Sequence, residues 1–435
     1  MKRINVGIIG FGTVGAGTLE VLKTNREVIT RRVGAELVVK RIADLDTESD
    51  RGVRVGRGVL TKEALDIIED PHVQVMVELI GGMSKAKEYI LEAMRRGKHV
   101  VTANKALLAE HGAEIYEAAE RCGVSLAFEA SVGGGIPIIG ALRGGLAANR
   151  LQLITGILNG TSNYILTKMT EQGMPYEKVV DEAVRLGFAE EPPTLDVDGT
   201  DAAHKLAILI SLAMGSPVSF DQIYREGITD IIPDDIRFAG EFGYSVKLLA
   251  IARDLGDRIE ARVHPAMIPG DHILANVNEA YNAIYIEGDY VGPNLYYGQG
   301  AGRKPTGSAV VSDIMDLARR IACGENAFTP PLGNAGTTTA KVAIQPMEQL
   351  VSAYYFRFSA LDRPGVLSTI AGILGDHDIS IASVIQKGRE TNKSVPIVML
   401  THEAQEKKVQ EAMQRMKGLD ILRGDTVMIR VEDRA

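Results

Sequence analysis

A glycine-rich turn near the amino terminus limits the fold of this chain more than any other feature. Residues 4–9 (INVGII) form a short apolar run typical of a buried strand, and the sequence Gly10-Phe11-Gly12-Thr13-Val14-Gly15 follows it. A helical pattern then continues to about Arg31. Glycines between a first strand and a first helix allow a tight turn, so that a pyrophosphate can rest on the helix N-terminus. We therefore predict that this turn binds a dinucleotide, and a glycine-rich turn without a ligand is the alternative.

The second strand adds to this prediction. It covers about residues 36–43 and is followed by Asp44, at the position where an acid often binds the adenosine ribose hydroxyls. This acid favours NAD. Four nearby arginines could instead hold the 2′-phosphate of NADP, or form a solvated basic loop: Arg41, Arg51, Arg54 and Arg57. The choice between NAD and NADP stays open.

Strands and helices alternate through the rest of the first 130 residues. The expected elements are helix 61–69, strand 73–80, helix 84–96, strand 98–102, helix 106–122 and strand 124–128. Such alternation with short loops predicts an α/β fold with a Rossmann-like, doubly wound parallel sheet. Lys105 directly follows a strand, at the sheet edge where such folds bind ligands. Its ammonium could reach a bound ligand, and an ordinary surface lysine is the alternative.

Length and composition exclude several classes of protein. A chain of 435 residues is too long for one hydrophobic core, so two or three domains are expected. The net charge of −8 argues against a broad nucleic-acid surface. No apolar run reaches the roughly 18–20 residues that span a bilayer. The two cysteines, Cys122 and Cys323, provide neither a disulfide framework nor a metal cluster, which favours a cytoplasmic location.

Three further stretches carry candidate functional residues. Three glycines follow Glu129 and Val132, and their carbonyl groups could coordinate a monovalent cation, although composition favours a hinge. The turn Asn159-Gly160-Thr161 opens a helix and could bind a carboxylate, with a simple N-cap as the alternative. Asp201 and Lys205 lie four residues apart on a helical pattern and should share one face. They form either a solvated surface ion pair or an acid and an ammonium beside a substrate pocket.

The second half of the chain predicts two more sheets. Strand-like runs near residues 258–268 and 280–297 indicate an α+β domain, and a second glycine turn ending at Gly302 precedes helix 305–322. We expect this helix to return the chain to the nucleotide-binding domain. After a segment rich in Pro, Gly and Thr, the pattern from residue 353 predicts a ferredoxin-like βαββαβ arrangement.

The chain resembles homoserine dehydrogenases over essentially its whole length, in the form that carries a C-terminal ACT domain. The motifs that carry the resemblance are GFGTVG, VELIGG, TANKA, EASVGGGIP, ILNGTSNYIL, the stretch 183–205 and GQGAG. One departure is Pro192, which stands where the family usually has Asp or Asn before a proline. The resemblance implies reversible NAD(P)-dependent interconversion of L-aspartate 4-semialdehyde and L-homoserine, on the route to threonine and methionine. A non-catalytic nucleotide- and amino-acid-binding sensor is the alternative.

The resemblance also implies roles for single residues. Lys205 would exchange a proton with the substrate oxygen, Lys105 would lie between cofactor and substrate, and Asp201 would orient the site. The expected substrate-binding residues are Glu190, Asp196, Asn159, Gly160 and Thr161. The expected cofactor-binding residues are Gly10, Phe11, Gly12, Thr13, Val14, Gly15, Asp44, Lys105 and Gly302. The expected ligands of a sodium ion, through carbonyl oxygens, are Glu129, Val132, Gly134 and Ile136.

The C-terminal stretch DRPGVLSTIAGILGDHDISI resembles the ACT family, whose members often bind amino acids. Gly365 and Asp378 are the matching effector positions, and threonine is the natural effector, with a ligand-free dimerisation module as the alternative. The expected domains are 1–130 for NAD(P), completed by about 300–324; 131–300 for substrate binding, catalysis and dimerisation; a linker at 325–350; and the ACT domain at 351–435. The resemblance further implies a homodimer or homotetramer.

Overall fold

The computed structural model describes residues 2–188, 191–324, 328–334, 342–386 and 394–433. The chain divides into two compact units. The first comprises Met1–Ile154, Asp201–Gln222 and Tyr281–Val342, and the second comprises Thr155–Thr200, Ile223–Ala280 and Ala343–Ala435.

Strands and helices follow one another along the chain in three groups. The first group contains β1 (Arg3–Ile9), α1 (Thr13–Thr24), α2 (Arg26–Val33), β2 (Glu36–Ala43), β3 (Leu60–Thr61), α3 (Leu65–Ile68), β4 (Val75–Glu78), α4 (Ser84–Arg95), β5 (His99–Thr102), α5 (Lys105–Cys122), β6 (Leu126–Ala127) and α6 (Ile138–Gly140). The second contains β7 (Leu151–Ile157), α7 (Gly160–Gln172), α8 (Tyr176–Arg185), α9 (Thr194–Val197), α10 (Thr200–Met214), β8 (Tyr224–Arg225), α11 (Pro233–Glu241), β9 (Tyr244–Asp254), β10 (Ile259–Pro269), β11 (Tyr281–Gly288), β12 (Gly292–Gln299) and α12 (Arg303–Cys323). The third contains β13 (Val351–Leu361), α13 (Val366–Asp376), β14 (Ile381–Gln386), β15 (Ser394–Thr401), β16 (Ala404–Gln405), α14 (Glu406–Met416) and β17 (Val427–Val431).

The first unit contains a parallel sheet with the strand order β3-β2-β1-β4-β5-β6. Strand β1 lies in the middle of the sheet and pairs with β2 on one side and with β4 on the other. From β1 the chain first adds strands on the β2 side and then continues on the β4 side. The loop that follows β1 therefore lies at the switch point, where doubly wound sheets bind their ligands. The prediction of a Rossmann-like parallel sheet is confirmed.

Helices α1 and α12 pack against each other on this sheet at very short distance. A Cβ atom added to Gly17 would lie 2.1 Å from the carbonyl oxygen of Arg303, and one added to Gly307 would lie 2.7 Å from the carbonyl carbon of Gly17. Val310 and Ile314 of α12 are buried in the same core cluster as the strand residues of β1. Since α12 packs on α1, the chain returns to the parallel sheet of the first unit after the intervening strands and helices.

Several predicted elements are shorter than the sequence pattern suggested. The first helix ends at Thr24 and a new one starts at Arg26, because Asn25 leaves helical geometry with φ −101° and ψ 19°. Asparagine is a weak helix former that favours such end positions. The expected helix 61–69 is only Leu65–Ile68, because Leu60 and Thr61 pair with β2 as an edge strand.

The second unit contains a mixed sheet, in which the strands β9-β10-β17-β13-β15-β14 are neighbours in this order. The strand predicted near 258–268 is confirmed as β10, which pairs antiparallel with β9 along eleven residues. The sequence pattern did not reveal β9. Its central residues, 246–252, are all buried, so the strand has no polar alternation and resembles a buried helix segment.

The C-terminal part of the second unit has the predicted βαββαβ arrangement, which is typical of the ACT fold. Its four main strands have the order β17-β13-β15-β14, with α13 and α14 in contact with each other. The last strand also pairs in parallel with β10, where Ala266 lies opposite Arg430. The ACT sheet and the β9–β10 hairpin therefore form one continuous sheet.

Buried arginines accompany this strand pairing. The Arg430 side chain, which is fully buried, donates two hydrogen bonds to Glu406 at 2.9 and 2.6 Å and one to Glu226 at 2.8 Å. Arg262 on β10 is paired with Glu260 at 2.6 Å and with Glu432 at 2.5 Å. Each buried guanidinium thus has carboxylate partners, as a buried charge requires.

Within the described residues, none of the helices combines the length and the apolar character that a membrane crossing requires.

Candidate active site

Helix α10 carries the acid and the ammonium that the sequence singled out. The Nζ atom of Lys205 donates to Oδ2 of Asp201 at 2.6 Å, and the two side chains are only 10% and 8% exposed. A solvated surface pair would expose both groups, so this interpretation is wrong. The spacing of four residues on one helix face brings the two groups together, and the apolar residues around them on α10 explain their burial.

Lys105 joins this pair from a different helix. It is the first residue of α5, and its Nζ atom lies 3.1 Å from Oδ1 of Asp201. One carboxylate therefore lies between two ammonium groups. The Lys105 side chain is 41% exposed, whereas that of Lys205 is 10% exposed, so the two lysines of the cluster differ in their access to solvent.

A second contact between α5 and α10 lies next to this cluster. The Nε2 atom of the buried His204 lies 3.5 Å from Oε1 of Glu110, and its ring packs on Phe220 at 4.3 Å between centroids. Burial lowers the pKa of His204, while the nearby Glu110 acts against this shift. Sequence reasoning did not identify this pair, although His204 is adjacent to Lys205.

The glycine turn after β1 has the geometry that a pyrophosphate needs. Gly10 has φ +104°, and a Cβ atom there would lie 2.5 Å from the carbonyl carbon of Leu79. A Cβ atom at Gly15 would lie 2.2 Å from the carbonyl oxygen of Gly10, so two of the glycines are required by close packing. Gly12, in contrast, has open space around its Cβ position, and no side chain caps α1 at this residue. The exposed start of α1, at Gly12 and Thr13, is therefore accessible to an anion.

Asp44 lies beside this turn but is engaged with the backbone. Its Oδ2 atom accepts a hydrogen bond from the backbone N–H of Phe11 at 2.5 Å, and Oδ1 accepts one from the N–H of Asp46 at 2.9 Å. The carboxylate thus connects the glycine turn to the end of β2.

The remaining predicted cofactor residues lie near helix starts. Val14 lies in the first turn of α1, and Gly302, with φ +119°, precedes the first residue of α12.

The triple-glycine loop is held by a buried carboxylate. Glu129 accepts hydrogen bonds from the N–H groups of Ile139 at 2.8 Å and Gly140 at 2.7 Å, and its own N–H donates to Asp313 at 2.8 Å. Burial raises the pKa of Glu129 and raises that of Asp313 well above its usual value. Gly134 lies so close to the second glycine turn that a Cβ atom would stand 2.5 Å from the carbonyl group of Gly300. The loop is therefore packed against the chain that precedes α12.

The carbonyl groups of this loop are suitable ligands for a cation. Among the described residues, no backbone N–H or side chain donates to the carbonyl oxygens of Val132 and Gly134, and Val132 donates to that of Glu129 only at 3.4 Å. The carbonyl of Ile136 accepts one bond, from Ile138 at 2.8 Å. Buried carbonyl oxygens without donors are costly unless a ligand satisfies them. The donor set consists of hard oxygen atoms, as sodium requires.

The described part of the chain contains no cluster of three or more His, Cys, Asp or Glu side chains that could hold a metal.

The predicted substrate residues of the second unit form their own network. Asn159 caps α7 by accepting from the N–H of Ser162 at 2.7 Å, and its amide donates to Asp196 at 2.7 Å. The hydroxyl of Thr161 donates to the carbonyl of Phe188 at 2.7 Å, and Gly160 is the first residue of the helix. The turn is thus an N-cap and also contacts Phe188 and Asp196. Glu190 lies outside the described residues.

The two predicted effector positions lie at opposite ends of α13. Gly365 precedes the helix with φ +90°, and a side chain added there would meet open space. Asp378 follows the helix and is paired with Lys408 at 2.8 Å, which lowers its pKa. At 1.5 Å per residue, the two positions are roughly 20 Å apart, more than the length of an amino acid.

Family models match three consecutive parts of the chain. Residues 10–129 match the model described as homoserine dehydrogenase, NAD binding domain, residues 137–315 match homoserine dehydrogenase, and residues 354–420 match the ACT domain. The family-level predictions of a nicotinamide dinucleotide domain and an ACT domain are confirmed.

Curated relatives and solved structures agree with these models. The homoserine dehydrogenases of Neisseria gonorrhoeae and Bacillus subtilis are 45% and 37% identical to this chain, and each match covers 99% of both proteins. The crystal structure of a homoserine dehydrogenase from Thiobacillus denitrificans superimposes with a TM-score of 0.92 at 47% identity, over 100% of this chain and 99% of that one. A hyperthermophilic archaeal homoserine dehydrogenase in complex with NADPH matches with a TM-score of 0.61 at 28% identity, over 72% of this chain and 97% of that one. With both its sequence and its fold matched over their full length, the chain belongs to the homoserine dehydrogenase family.

Proposed function

We propose that this protein catalyses the NAD(P)-dependent, reversible reduction of L-aspartate 4-semialdehyde to L-homoserine. The observation that carries the proposal is the carboxylate of Asp201 between the ammonium groups of Lys105 and Lys205, in the unit that contains the glycine turn. A sensor without catalysis has no need of a buried lysine that is paired with a carboxylate, since burying such a pair offers little stability.

Lys205 is the proposed proton donor in the direction of reduction. A nicotinamide cofactor held at the turn from Gly10 to Gly15 would supply a hydride for the carbonyl carbon, so that negative charge would develop on the carbonyl oxygen. The ammonium of Lys205 transfers one proton to this oxygen and becomes an amine, which gives the alcohol. In the reverse direction the amine takes up the hydroxyl proton. Asp201 holds the Nζ atom of Lys205 in place, at 2.6 Å, throughout this exchange.

Lys105 has a complementary proposed role. Its ammonium keeps its positive charge and stabilises the developing oxyanion, which is the larger effect in most reactions of this kind. Its higher exposure supports this assignment, because a group that contacts both cofactor and substrate must be reachable from solvent. The proposed cofactor site further comprises the turn from Gly10 to Gly15, together with Asp44 and Gly302.

The substrate carries an ammonium and a carboxylate, and both need partners. We propose that Glu190 and Asp196 supply negative charge for the ammonium, and that the N-cap turn from Asn159 to Thr161 supplies donors for the carboxylate. Gly160, the first residue of α7, is partly exposed, which supports access to this turn. The domain roles follow: 1–130 with 300–324 for the cofactor, 131–300 for substrate and dimerisation, 325–350 as a linker, and 351–435 as the ACT domain.

We further propose that the carbonyl oxygens of Glu129, Val132, Gly134 and Ile136 hold a sodium ion, and the carbonyls of Val132 and Gly134, which accept no backbone hydrogen bond from the described residues, support this proposal. At the ACT domain, threonine is the proposed effector. Because Gly365 and Asp378 lie at opposite ends of α13, within one chain they are separate candidate contacts and do not hold the same molecule. A cytoplasmic homodimer or homotetramer is the proposed form of the protein.

Parallel assays with L-homoserine and either NAD or NADP test the main proposal. We expect reduced cofactor to form with at least one of them, and product analysis to identify the semialdehyde. Repeating the assay with threonine, and with sodium replaced by choline, tests the effector and the cation separately. Tight cofactor binding without any homoserine-dependent reduction, under all these conditions, would favour a sensor and contradict the proposal.

A further inference from the structure

The ends of β4 and β5 are joined by a buried carboxylate that has no role in the proposed reaction. Glu78, the last residue of β4, is completely buried. Its Oε2 atom accepts a hydrogen bond from the hydroxyl of Thr102 at 2.6 Å, at the end of β5. Its Oε1 atom accepts from the backbone N–H groups of Ile80 at 2.9 Å and Gly81 at 3.3 Å. One carboxylate therefore connects two strand ends and shapes the loop after β4.

The same hydrogen-bond chain continues to the start of α5. The hydroxyl of Thr102 accepts from the N–H of Asn104 at 3.0 Å. The side chain of Asn104 caps α5 by accepting from the N–H of Leu107 at 3.1 Å, and its amide donates to the carbonyl of Gly82 at 2.6 Å. Asn104 is thus held by Gly82, in the loop after β4, and by Thr102, at the end of β5. The next residue is Lys105.

The last step of the chain leads to the reacting groups. The Nζ atom of Lys105 lies 3.1 Å from Asp201, which in turn holds Lys205 at 2.6 Å. The path therefore has a buried carboxylate at each end, Glu78 and Asp201. An acid in the buried end of a parallel strand is costly, since burial raises the pKa of Glu78 against the effect of its hydrogen bonds. Three apolar residues in sequence, 75–77, precede it, so packing alone would favour another apolar side chain.

We propose that Glu78 is a positioning residue, which fixes the Lys105 ammonium against Asp201 and Lys205 through Thr102 and Asn104. This inference rests on the proposed function. Glu78 does not contact the reacting atoms in this scheme. It sets the position at which α5 begins, and a displacement of α5 moves the ammonium that stabilises the oxyanion. Displacements of about 1 Å in such groups can cost as much as 100-fold in rate.

A double-mutant cycle in the full-length protein separates positioning from general stability. Glu78→Gln preserves size but replaces one acceptor oxygen by an amide that donates. We expect it to lower kcat about 10- to 100-fold in the wild-type background, with the Kd for NADPH changed less than about 3-fold. In the Lys105→Ala background we expect Glu78→Gln to change kcat less than about 2-fold, because the group that it positions is already absent.

Thr102 provides a second, milder pair of variants. Thr102→Ser keeps the hydroxyl and should keep kcat within about 3-fold, whereas Thr102→Val keeps the shape and should lower kcat about 10-fold. Glu114 is an exposed acid on α5 that pairs with Lys87. Glu114→Gln is therefore the matched control and should change kcat less than about 2-fold. If Glu78→Gln does not fold, the cycle is made with Thr102→Val.

The outcomes are distinguishable. Equal losses of kcat in the wild-type and Lys105→Ala backgrounds would mean that Glu78 acts on overall structure, which overturns the inference while the proposed function stands. Thr102→Ser and Thr102→Val with equal activity would also overturn it. A wild-type protein without homoserine-dependent reduction of NAD or NADP would overturn the proposed function and this inference together.

Discussion

Lys105 and Lys205, exactly one hundred residues apart in sequence, share the two carboxylate oxygens of Asp201 at 3.1 and 2.6 Å. The carboxylate is buried and balances one of the two positive charges. One positive charge therefore remains for a substrate oxygen that becomes negative during reduction. This relationship is the basis of the first prediction.

Removal of the Lys205 ammonium should abolish most turnover. We expect Lys205→Ala to lower kcat by about 10²- to 10⁴-fold, because the proton donor is lost, while the Kd for NADPH stays within about 3-fold. Steady-state kinetics and fluorescence titration with NADPH measure the two quantities. Lys85 is an exposed lysine paired with Glu88, so Lys85→Ala is the control and should keep the kcat and the NADPH Kd of the wild type. Near-normal turnover of Lys205→Ala would refute the assignment of the proton donor.

Two glycines of the dinucleotide turn should respond differently to the same substitution. Gly12→Ala places its methyl group in open space, so the free energy of unfolding should stay within about 0.5 kcal/mol of wild type. The methyl group points to the region where a pyrophosphate would bind, and the Kd for NADPH should rise at least about 10-fold.

Gly10→Ala provides the contrast. Its φ of +104° and the 2.5 Å approach to the Leu79 backbone should destabilise the fold by about 2–4 kcal/mol. Chemical denaturation and NADPH titration of both variants test this difference. Equal stability losses in the two variants would contradict the assigned geometry of the turn.

Lys247 should make the stability of the protein depend on alkaline pH. Its side chain is buried, with the carbonyl of Val277 at 2.6 Å and the amide oxygen of Asn278 at 3.0 Å as acceptors, and burial lowers its pKa to about 8. An unfolded lysine titrates near 10.4, so between these values the unfolded state binds more protons than the folded state. The free energy of unfolding should therefore gain about 3 kcal/mol from this group as the pH rises from about 8 to 10.4.

Urea denaturation at several pH values between 7 and 10.5 measures this dependence. Other groups also titrate in this range, so the relevant quantity is the difference from Lys247→Met, which lacks the ionisable amine. We expect the variant to show a smaller increase in stability with pH. Parallel curves for the two proteins would mean that the lysine keeps an ordinary pKa.

The buried Arg430 should contribute much more to stability than an exposed arginine. Arg430→Met leaves Glu406 and Glu226 without their shared guanidinium, and we expect a loss of about 3–5 kcal/mol. Arg415→Met, in which both partners of the ion pair with Asp376 are more than half exposed, should cost less than about 1 kcal/mol. Denaturation by guanidinium chloride compares them. Equal losses would indicate that the buried cluster adds no stability beyond that of a surface pair.

Much of the architecture could be predicted from the sequence. Local patterns are sufficient where one strand or helix has a clear period and clear ends. For this reason α4, β5, α5 and α12 lie within one or two residues of their expected positions. Strand β9 was missed because it is buried along its centre and shows no alternation. The pairing of β17 with β10 was also not predictable, because strands far apart in sequence carry no local signal of their neighbours.

For the candidate site, the residue pattern alone indicates which chemical groups are present and which of them share a helix face. The turn from Gly10 to Gly15 and the pair of Asp201 and Lys205 follow from spacing alone. Only the folded chain shows that this pair is buried, that Lys105 joins it from α5, and that Glu78 is hydrogen-bonded to Thr102 near the start of that helix. The physical reason is that burial and distance depend on how helices pack across a sheet, and packing involves residues from many parts of the chain at once.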